Sequence, residues 1–337
     1  MTIKLAINGF GRIGRMVVRA ITEHARSEFE VVAINDLADA GRLAHLLKYD
    51  SVHGRFPGEV STDEDSITID GHKIAMYSER DPENLPWKQL GIDIVMECTG
   101  FFLTKDLCGK HILAGARRVL MSAPAKDDTK TIVFGVNDNI IDASDVFVSN
   151  ASCTTNALAP LLSVLNANYG IKSGLMTTIH AYTGDQPTHD SVHKDLYRGR
   201  AAAVSMVPTT TGAAKAIGKV IPELNGKLDG VAIRVPVPNV SVVDLTVVTE
   251  KAASPGGICT HFKEASEGSL SGVLGYIDEK VVSSDLNHDP HSSSFVEDQV
   301  YVNNEHLIRV MAWYDNEWGF SNRMLDTASV MGRFLKV

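Results

Sequence analysis

A cysteine in a polar segment is the most reactive group that the sequence suggests. Cys153 stands in Ser149-Asn150-Ala151-Ser152-Cys153-Thr154-Thr155-Asn156, between an apolar run and a predicted helix from Thr154 to Asn166. A thiol at a helix N-terminus lies at the positive end of the helix dipole, so its pKa falls and it becomes a nucleophile near neutral pH. Buried cysteines are more often inert small apolar residues, so the position of Cys153 alone favours neither interpretation. The hydroxyl and amide neighbours favour the nucleophile.

A histidine at the end of a predicted strand is a candidate partner for that thiol. His180 closes the apolar run Leu175 to Ile179 and opens a long polar segment, Ala181 to Pro208. A nucleophilic thiol needs a basic group, and a strand-end imidazole suits that role better than His189 or His193 within the segment. The segment is long, and long ordered loops are more often functional than not.

Two groups of histidines could suggest metal ligands. His189 and His193 are four residues apart, and Asn287-His288-Asp289-Pro290-His291 is rich in donors. No third ligand recurs at a known spacing, and Pro290 marks a turn. We therefore predict no metal.

A glycine-rich turn follows the first predicted strand. Ile3 to Ile7 is apolar and leads into Gly9-Phe10-Gly11-Arg12-Ile13-Gly14, after which apolar residues recur with helical spacing. In such a turn the first glycine permits the tight bend, and the second lets a pyrophosphate approach the backbone. The third allows close helix packing, while the helix N-terminus offers N–H donors. The turn therefore predicts a dinucleotide site.

An acid ends the next apolar run. Val31 to Ile34 is followed by Asn35 and Asp36, about twenty residues beyond the last glycine. Asp36 can accept hydrogen bonds from both hydroxyls of an adenosine ribose, and it would repel a 2′-phosphate, which favours NAD over NADP. The alternative is a solvated acid at the end of a strand.

The second half of the chain contains groups that suit anions. Thr209-Thr210-Thr211-Gly212 precedes a predicted helix, Ala213 to Val220, and offers hydroxyl and backbone donors. Three basic residues, Lys194, Arg198 and Arg200, lie in the long polar segment, and Arg234 lies in a predicted strand. Each alone can be a solvated charge, but a thiol, a dinucleotide turn and several phosphate-friendly groups in one acidic chain favour a shared site.

The apolar runs indicate two kinds of architecture. Up to Asn150, strand-like runs alternate with helical stretches, which predicts an α/β domain with a parallel, doubly wound sheet. Its further strands are expected at Ile92 to Cys98, Arg118 to Ser122, Thr131 to Val136 and Val146 to Ser149. Longer strands follow, which predicts an α+β domain with a mostly antiparallel sheet. They are expected at Gly174 to His180, Leu228 to Val235, Val240 to Thr249 and His306 to Tyr314.

Length and composition agree with two globular domains. A single core rarely exceeds about 250 to 300 residues, and this chain has 337, of which 44% are hydrophobic. We predict a first domain at residues 1–151, completed by a C-terminal helix at 317–337, and a second at 152–316. The net charge of −9 offers no attraction to nucleic acid or to an anionic membrane.

The compartment is predicted from the same sequence. No apolar run is long enough to span a bilayer, and the first residues lack a signal-peptide pattern. The other cysteines, Cys98, Cys108 and Cys259, lack a reactive setting and are expected to be structural. No Cys-x-x-Cys pair occurs, which fits free thiols in a reducing compartment. A cytoplasmic protein is expected.

Five segments, in order along the chain, resemble the phosphorylating glyceraldehyde-3-phosphate dehydrogenases. They are Ile7 to Arg15, Ser149 to Asn156, His180-Ala181-Tyr182-Thr183, Pro208 to Ala214 and Trp313-Tyr314-Asp315-Asn316-Glu317. The resemblance implies a Rossmann-type domain followed by a catalytic domain. It also implies a homotetramer of glycolysis or gluconeogenesis that oxidises glyceraldehyde 3-phosphate with NAD and inorganic phosphate, through a cysteine thioester.

The resemblance also implies roles for matching residues. Cys153 would be the nucleophile and His180 the general base. The cofactor would be bound by Gly9, Gly11, Arg12, Ile13, Gly14, Asp36, Arg80, Ser122 and Asn316. The two phosphates would be held by Ser152, Thr154, Thr183, Arg198, Thr211, Gly212 and Arg234. Arg200, two residues from Arg198, is an alternative in the same loop.

Two departures from the family pattern are present. Ala157 replaces a second cysteine found in many members, which leaves the chemistry unchanged. Ser191-Val192 replaces a Leu-Pro pair that accompanies NAD preference in many bacterial members, so the loop weakens the preference for NAD over NADP that Asp36 predicts.

Two alternative functions are considered. One is an erythrose-4-phosphate dehydrogenase, whose members tend to lack the threonine that is present here as Thr183, and the other is a dinucleotide-binding regulator or adhesin.

Overall fold

A computed structural model describes residues 2–335 and divides the chain into two compact units. The first unit takes in the described residues up to Ile132, the segment Asp138–Ala151 and the residues from Ser321 onward. The second unit consists of Val133–Asn137 and Ser152–Phe320.

The first unit contains a large sheet and a short two-stranded ribbon. Its strands are β1 (Ile3–Asn8), β2 (Phe29–Asn35), β3 (Tyr49–Asp50), β4 (Gly54–Arg55), β5 (Val60–Asp63), β6 (Ser66–Ile69), β7 (His72–Tyr77), β8 (Ile94–Glu97), β9 (Arg118–Met121), β10 (Lys130–Thr131) and β11 (Phe147–Ser149). Its helices are α1 (Arg12–Glu23), α2 (Ala40–Lys48), α3 (Trp87–Leu90) and α4 (Lys105–Leu113).

The large sheet of the first unit is mostly parallel. Its order within the described residues is β10-β11-β9-β8-β1-β2-β7-β6-β5, and only the pairs β7-β6 and β6-β5 are antiparallel. The central strands are apolar and buried, as expected for a sheet covered on both faces. The carboxyl ends of β2, β1 and β8 therefore lie side by side, at Asn35, Asn8 and Glu97. The predicted parallel α/β architecture is confirmed.

One predicted strand of this sheet is wrong in extent. We expected a strand from Thr131 to Val136, but β10 ends at Thr131. The Asn137 side chain accepts a hydrogen bond from the Val133 N–H at 2.8 Å, and Gly135 has φ +82°. A local turn therefore satisfies the backbone there in place of a strand partner.

The second unit has helices and a larger proportion of antiparallel strands. Its elements are α5 (Cys153–Tyr169), β12 (Ile171–Ala181), β13 (Val207–Thr210), α6 (Ala213–Val220), β14 (Leu228–Val235), β15 (Ser241–Thr249), α7 (Pro255–Glu267), β16 (Leu274–Ile277), β17 (Ser293–Val296), β18 (Tyr301–Asn303) and β19 (Leu307–Tyr314). Its sheet runs β13-β14-β12-β15-β19-β17-β16, with β18 also paired to β19. Only β12-β14 and β16-β17 are parallel among the described pairs. The predicted mostly antiparallel sheet is confirmed.

The last helix, α8 (Trp318–Gly332), belongs to the first unit from Ser321 onward. Asp326 accepts a hydrogen bond from Arg26 at 3.0 Å, and the Thr327 hydroxyl donates to Asn150 at 2.8 Å. These bonds join the end of the chain to elements formed by its first half.

Within residues 2–335, no helix combines the length and the apolar character that crossing a bilayer requires.

Candidate active site

Cys153 is the first residue of helix α5. The preceding residue, Ser152, caps the helix because its hydroxyl accepts a hydrogen bond from the Thr155 N–H at 3.1 Å. The Ser152 hydroxyl also lies 2.8 Å from the Thr155 hydroxyl. The thiol is thereby placed at a defined point beside the first turn.

His180 lies against the thiol. The distance from Cys153 Sγ to His180 Nε2 is 3.5 Å. The other ring nitrogen, Nδ1, lies 2.7 Å from the Ala181 carbonyl, which can only accept a hydrogen bond. The proton of the neutral ring is therefore on Nδ1, and Nε2 presents a lone pair to the thiol. This is the geometry of a nucleophile and its base.

The charge state of this pair differs from the sequence-based expectation. Burial raises the pKa of the Cys153 thiol, although the charge of Arg234 and hydrogen bonds involving Thr154 oppose that change. Burial, together with the positive charge of Arg234, lowers the pKa of His180 to about 3. The expected depression of the thiol pKa is wrong here, because desolvation outweighs the helix N-terminus. Both shifts favour a neutral thiol beside a neutral imidazole.

Arg234 is placed beside His180 by strand pairing. β12 and β14 are parallel neighbours, and His180 is paired with Arg234 in their register. Nη1 of Arg234 donates to the Ala181 carbonyl at 2.9 Å and to the Thr183 hydroxyl at 3.1 Å. Its buried Nε has no hydrogen-bond partner within residues 2–335. Two predicted phosphate-binding residues, Thr183 and Arg234, are thus in contact.

Arg198 rather than Arg200 lies near this group. Nε of Arg198 donates to the Thr209 hydroxyl at 3.0 Å, and its charge contributes to lowering the pKa of His180 after burial and Arg234. Arg200 is exposed and pairs with Asp190 at 2.9 Å. Of the two arginines that the sequence offered, Arg198 is therefore the one directed toward the anion-friendly residues.

The other predicted phosphate-binding residues lie at helix starts. Thr211 accepts a hydrogen bond from the Ala213 N–H at 3.2 Å, and Gly212 caps helix α6 without a side chain. The Thr154 hydroxyl, in the first turn of α5, is 3.0 Å from the Tyr314 hydroxyl. These groups combine backbone and hydroxyl donors of the kind that bind anions.

Sequence reasoning assigned no role to Tyr314. Its hydroxyl lies between Thr154 and Thr178, 2.8 Å from the latter, and its ring packs edge-on against His180. Burial raises the pKa of Tyr314, so it remains a neutral phenol. The sequence shows only that Tyr314 lies at the end of an apolar strand, β19, and strand pairing then brings that end next to the thiol.

The first unit contains a separate cavity of about 460 Å³ at the carboxyl edge of its parallel sheet. Four of its lining residues, Gly9, Gly11, Asp36 and Arg80, were predicted from the sequence. The other lining residues are Asn8, Asn35, Leu37, Glu79, Cys98, Thr99, Phe101 and Phe102. Ligands of open α/β sheets bind at this edge.

The glycine turn has the shape that a pyrophosphate needs. Gly9 has φ +91°, and a Cβ there would lie 2.8 Å from the Thr99 nitrogen. A Cβ at Gly14 would lie 2.3 Å from the Gly9 carbonyl oxygen, so both positions require glycine. By contrast, apart from Gly11 and its chain neighbours, no atom of the described residues lies within 4 Å of the place that a Cβ of Gly11 would fill. Gly11 therefore leaves open space at the start of α1, which fits a dinucleotide.

Asp36 is held at the rim of this cavity. One oxygen accepts the Phe10 N–H at 2.7 Å and the other accepts the Ala38 N–H at 3.0 Å. The carboxylate is thus fixed beside the glycine turn, with acceptor capacity left for a ribose.

The side chain of Arg12, a predicted cofactor residue, is directed to a carboxylate of the chain. Its guanidinium forms an ion pair with Asp50. Burial acts to raise the pKa of Asp50, but hydrogen bonds from His53, Arg12 and Val52 lower it to about 2. The Arg12 side chain is thus engaged by Asp50, and the backbone N–H groups of Arg12 and Ile13 belong to the first turn of α1.

A buried polar network links the strand ends beside the cavity. Asn35 donates to Asn8 at 2.7 Å, and Asn8 donates to Glu97 at 2.6 Å, so the three strand ends are linked. Trp87 donates to Nδ1 of His111, which leaves the proton of His111 on Nε2, 3.2 Å from Glu97. This network was not identified from the sequence, because its members are far apart along the chain.

Five predicted cofactor residues are not among those that line the cavity: Arg12, Ile13, Gly14, Ser122 and Asn316. The Ser122 N–H donates to the Glu97 carbonyl at 2.9 Å, just after β9. Asn316 belongs to the second unit, where its side-chain oxygen accepts from Ser241 at 2.8 Å.

Within residues 2–335, no group of three or more His, Cys, Asp or Glu side chains has the arrangement of a metal site.

A dinucleotide cavity in one unit and a thiol–imidazole pair in the other indicate a nucleotide-dependent oxidoreductase with a cysteine. Comparison with known proteins specifies the family. The profile described as "Glyceraldehyde 3-phosphate dehydrogenase, NAD binding domain" matches residues 3–105, and the corresponding C-terminal domain profile matches residues 152–316.

Curated relatives agree over the full length. Glyceraldehyde-3-phosphate dehydrogenases of Xanthobacter flavus and Pseudomonas aeruginosa are 57% and 58% identical to this chain. The first alignment covers 99% of both chains, and the second covers 97% of this chain and 98% of the relative. The Streptomyces coelicolor enzyme is 51% identical over 99% of this chain and 100% of its own. The chain belongs to the glyceraldehyde-3-phosphate dehydrogenase family and is an NAD-dependent oxidoreductase, so the predicted family, enzyme class and cofactor are confirmed.

Proposed function

We propose that this protein oxidises glyceraldehyde 3-phosphate with NAD and inorganic phosphate, forming 1,3-bisphosphoglycerate through a thioester on Cys153. The observation that supports the proposal most directly is the 3.5 Å separation of Cys153 Sγ and His180 Nε2, with Nδ1 of the same ring held by a carbonyl. This arrangement allows the thiol to become a nucleophile at the moment of attack.

His180 acts as the base in the first step. As Cys153 Sγ bonds to the aldehyde carbon, Nε2 takes the thiol proton, because its lone pair faces the sulfur. The resulting imidazolium, or the Cys153 backbone N–H, stabilises the oxygen of the tetrahedral hemithioacetal. Transfer of the proton from Nε2 to that oxygen returns His180 to the neutral form that burial and Arg234 favour.

The second stage releases the acyl group to phosphate. NAD, when bound, supplies the oxidation by accepting a hydride from the substrate carbon. Cys153 then holds the acyl group as a thioester, and the hemithioacetal proton returns to His180. A phosphate oxygen attacks the thioester carbon, the C–S bond breaks, and the sulfur recovers a proton from His180. The chain thereby returns to its neutral pair.

The anion-friendly residues hold the two phosphates. Arg234 and Thr183 form one donor pair beside His180, and Arg198 lies next to the Thr209 hydroxyl. Ser152, Thr154, Thr211 and Gly212 add hydroxyl and backbone donors at the starts of α5 and α6. Guanidinium groups suit phosphate because they donate two parallel hydrogen bonds.

The two predicted domains divide these roles. NAD binding belongs to the first unit, in which Asp36 binds the adenosine ribose and Arg80 and Ser122 lie further along the cofactor. Residues 152–316 form the catalytic domain, and Asn316 contacts the nicotinamide amide. The open space at Gly11 and the fixed carboxylate of Asp36 support this assignment.

The protein works as a homotetramer in the cytoplasm under this proposal. Several apolar side chains of the second unit are exposed in the single chain, including Leu175, Val231 and Tyr301 on its sheet and Val192 and Leu196 in the long loop. Exposed apolar side chains in such numbers mark a surface for association. Sedimentation velocity should give four times the mass of the chain.

Absorbance at 340 nm tests the reaction. With glyceraldehyde 3-phosphate, the purified protein should reduce NAD over many turnovers only when phosphate is present. A single burst of NADH without phosphate should match the concentration of Cys153. Faster turnover with erythrose 4-phosphate, or turnover that is independent of phosphate, would contradict the proposal.

A further inference from the structure

The guanidinium of Arg198 already has an anionic partner within the chain. Its Nη1 lies 3.0 Å from Asp185 Oδ2, while its Nε donates to the Thr209 hydroxyl and lies 3.8 Å from Asp195 Oδ2. Its Nη2 lies 3.4 Å from the Thr210 carbonyl. The donors of Arg198 that would meet a phosphate are therefore shared with acceptors of the long loop.

Asp185 is the carboxylate that bonds directly to the outer guanidinium nitrogen of Arg198, whereas Asp195 lies beside Nε and accepts from the Thr209 hydroxyl. Asp185 follows Thr183 by two residues, in a turn where the Gln186 N–H donates to the Thr183 carbonyl at 2.9 Å. Its second oxygen lies 3.4 Å from His193 Nε2. Burial acts to raise the pKa of Asp185, but hydrogen bonds from Arg198 and His193 lower it overall, so the carboxylate stays ionised.

The Asp185 pair is not a buried structural bridge. The Asp185 side chain is 43% exposed, and that of Arg198 is 22% exposed. Partly exposed ion pairs contribute little to stability, so breaking this one costs little. A phosphate dianion carries more charge than a carboxylate and can replace it on a guanidinium.

We propose that Asp185 is an internal competitor for Arg198 and thereby sets the affinity of the enzyme for a phosphate group of its substrates. The proposal rests on the function above, in which Arg198 binds phosphate. To bind there, a phosphate must displace the Asp185 carboxylate from Nη1 and then remain close to a like charge. Both effects weaken phosphate binding, so the Asp185 carboxylate lowers the affinity of Arg198 for phosphate.

The test is a comparison of Michaelis constants at saturating NAD. Asp185→Asn keeps the shape but removes the charge, and we expect the KM for one phosphate substrate to fall about fivefold to tenfold with kcat changed less than twofold. Asp185→Glu keeps the charge and should remain close to the wild type. Both inorganic phosphate and glyceraldehyde 3-phosphate are varied, and the substrate whose KM falls is the one that Arg198 holds.

Asp190→Asn is the matched control, because Asp190 pairs with the exposed Arg200 in the same loop at 2.9 Å. It should leave both KM values unchanged. Arg198→Gln should raise the KM that Asp185→Asn lowers.

The outcomes separate the two hypotheses. An increase with Arg198→Gln but no decrease with Asp185→Asn would overturn the role of Asp185 alone. If Arg198→Gln changes neither KM, the assignment of Arg198 fails, and the proposal fails with it. Should Asp185→Asn not yield active protein, judged by the amplitude of the NADH burst, Asp185→Ala gives the same comparison.

Discussion

His180 and Arg234 occupy paired positions on the parallel strands β12 and β14. Because the two strands end at the same edge, a base and a guanidinium are held side by side at the N-terminus of α5. The charge of Arg234 helps to keep His180 neutral, and it counteracts part of the desolvation of the thiol. One strand register therefore places beside the pair a positive charge that, after burial, has the largest effect on its protonation.

The thiol is tested by replacement. Cys153→Ser should lose more than about a thousandfold in turnover, because a hydroxyl is a much weaker nucleophile than a thiol with a base. NAD affinity, measured by fluorescence titration, should barely change, since no residue lining the Asp36 cavity is altered.

Labelling provides a second readout for the thiol. Burial raises the pKa of both Cys98 and Cys108 to about 12, and burial together with Glu297 raises that of Cys259. The Cys153 pKa is also raised, but His180 Nε2 lies 3.5 Å from its sulfur and can take the proton, so iodoacetate should modify Cys153 first. Peptide mapping that finds activity lost with Cys153 unmodified would disprove the assignment.

The base is tested by His180→Asn, which removes the lone pair that faces the sulfur. The burst of NADH should slow by roughly 100-fold to 10,000-fold. Alkylation of Cys153 should also be slower than in the wild type near pH 7, and the difference should shrink at higher pH as hydroxide takes the proton. Equal alkylation rates at neutral pH would show that another group activates the thiol.

Burial of a neutral His180 has a consequence for stability. Its pKa is about 3 in the folded protein against 6.5 for an ordinary histidine, so the unfolded chain binds the extra proton between these values. Stability therefore rises with pH in that window, by up to about 1.4 kcal/mol per pH unit, and this contribution is lost as pH falls below about 6.5. His180→Asn should flatten the dependence of the melting temperature on pH between 7 and 5. Parallel curves for the two proteins would contradict the folded-state value.

Cofactor choice is tested at Asp36. The fixed carboxylate should repel a 2′-phosphate, and we predict kcat/KM at least about tenfold higher with NAD than with NADP, a difference of roughly 1.4 kcal/mol. Asp36→Ala should narrow this ratio, mainly by improving NADP. Val192→Pro is the comparison variant for the loop. If the wild type uses both cofactors equally, or if only Val192→Pro changes the ratio, the loop is the determinant.

Much of the site was predictable from local sequence. The glycine turn, Asp36 and Cys153 each belong to a short segment in which spacing and neighbours specify the backbone: a strand, a turn and the start of a helix. Such segments form by local rules, so the dinucleotide turn and the helix beginning at Cys153 could be predicted without knowledge of distant residues.

Contacts between residues that are far apart along the chain, and the protonation of the thiol, were decided only by the tertiary structure. Tyr314, Asp185 and the network around Glu97 meet their partners only through strand register and loop packing, so no local pattern identifies them. The same is true of protonation: the sequence places a thiol at a helix N-terminus, which argues for a low pKa, but burial beside His180 reverses the direction. Sequence specifies which groups are present and the local backbone that carries them, whereas desolvation and charge depend on everything packed around them.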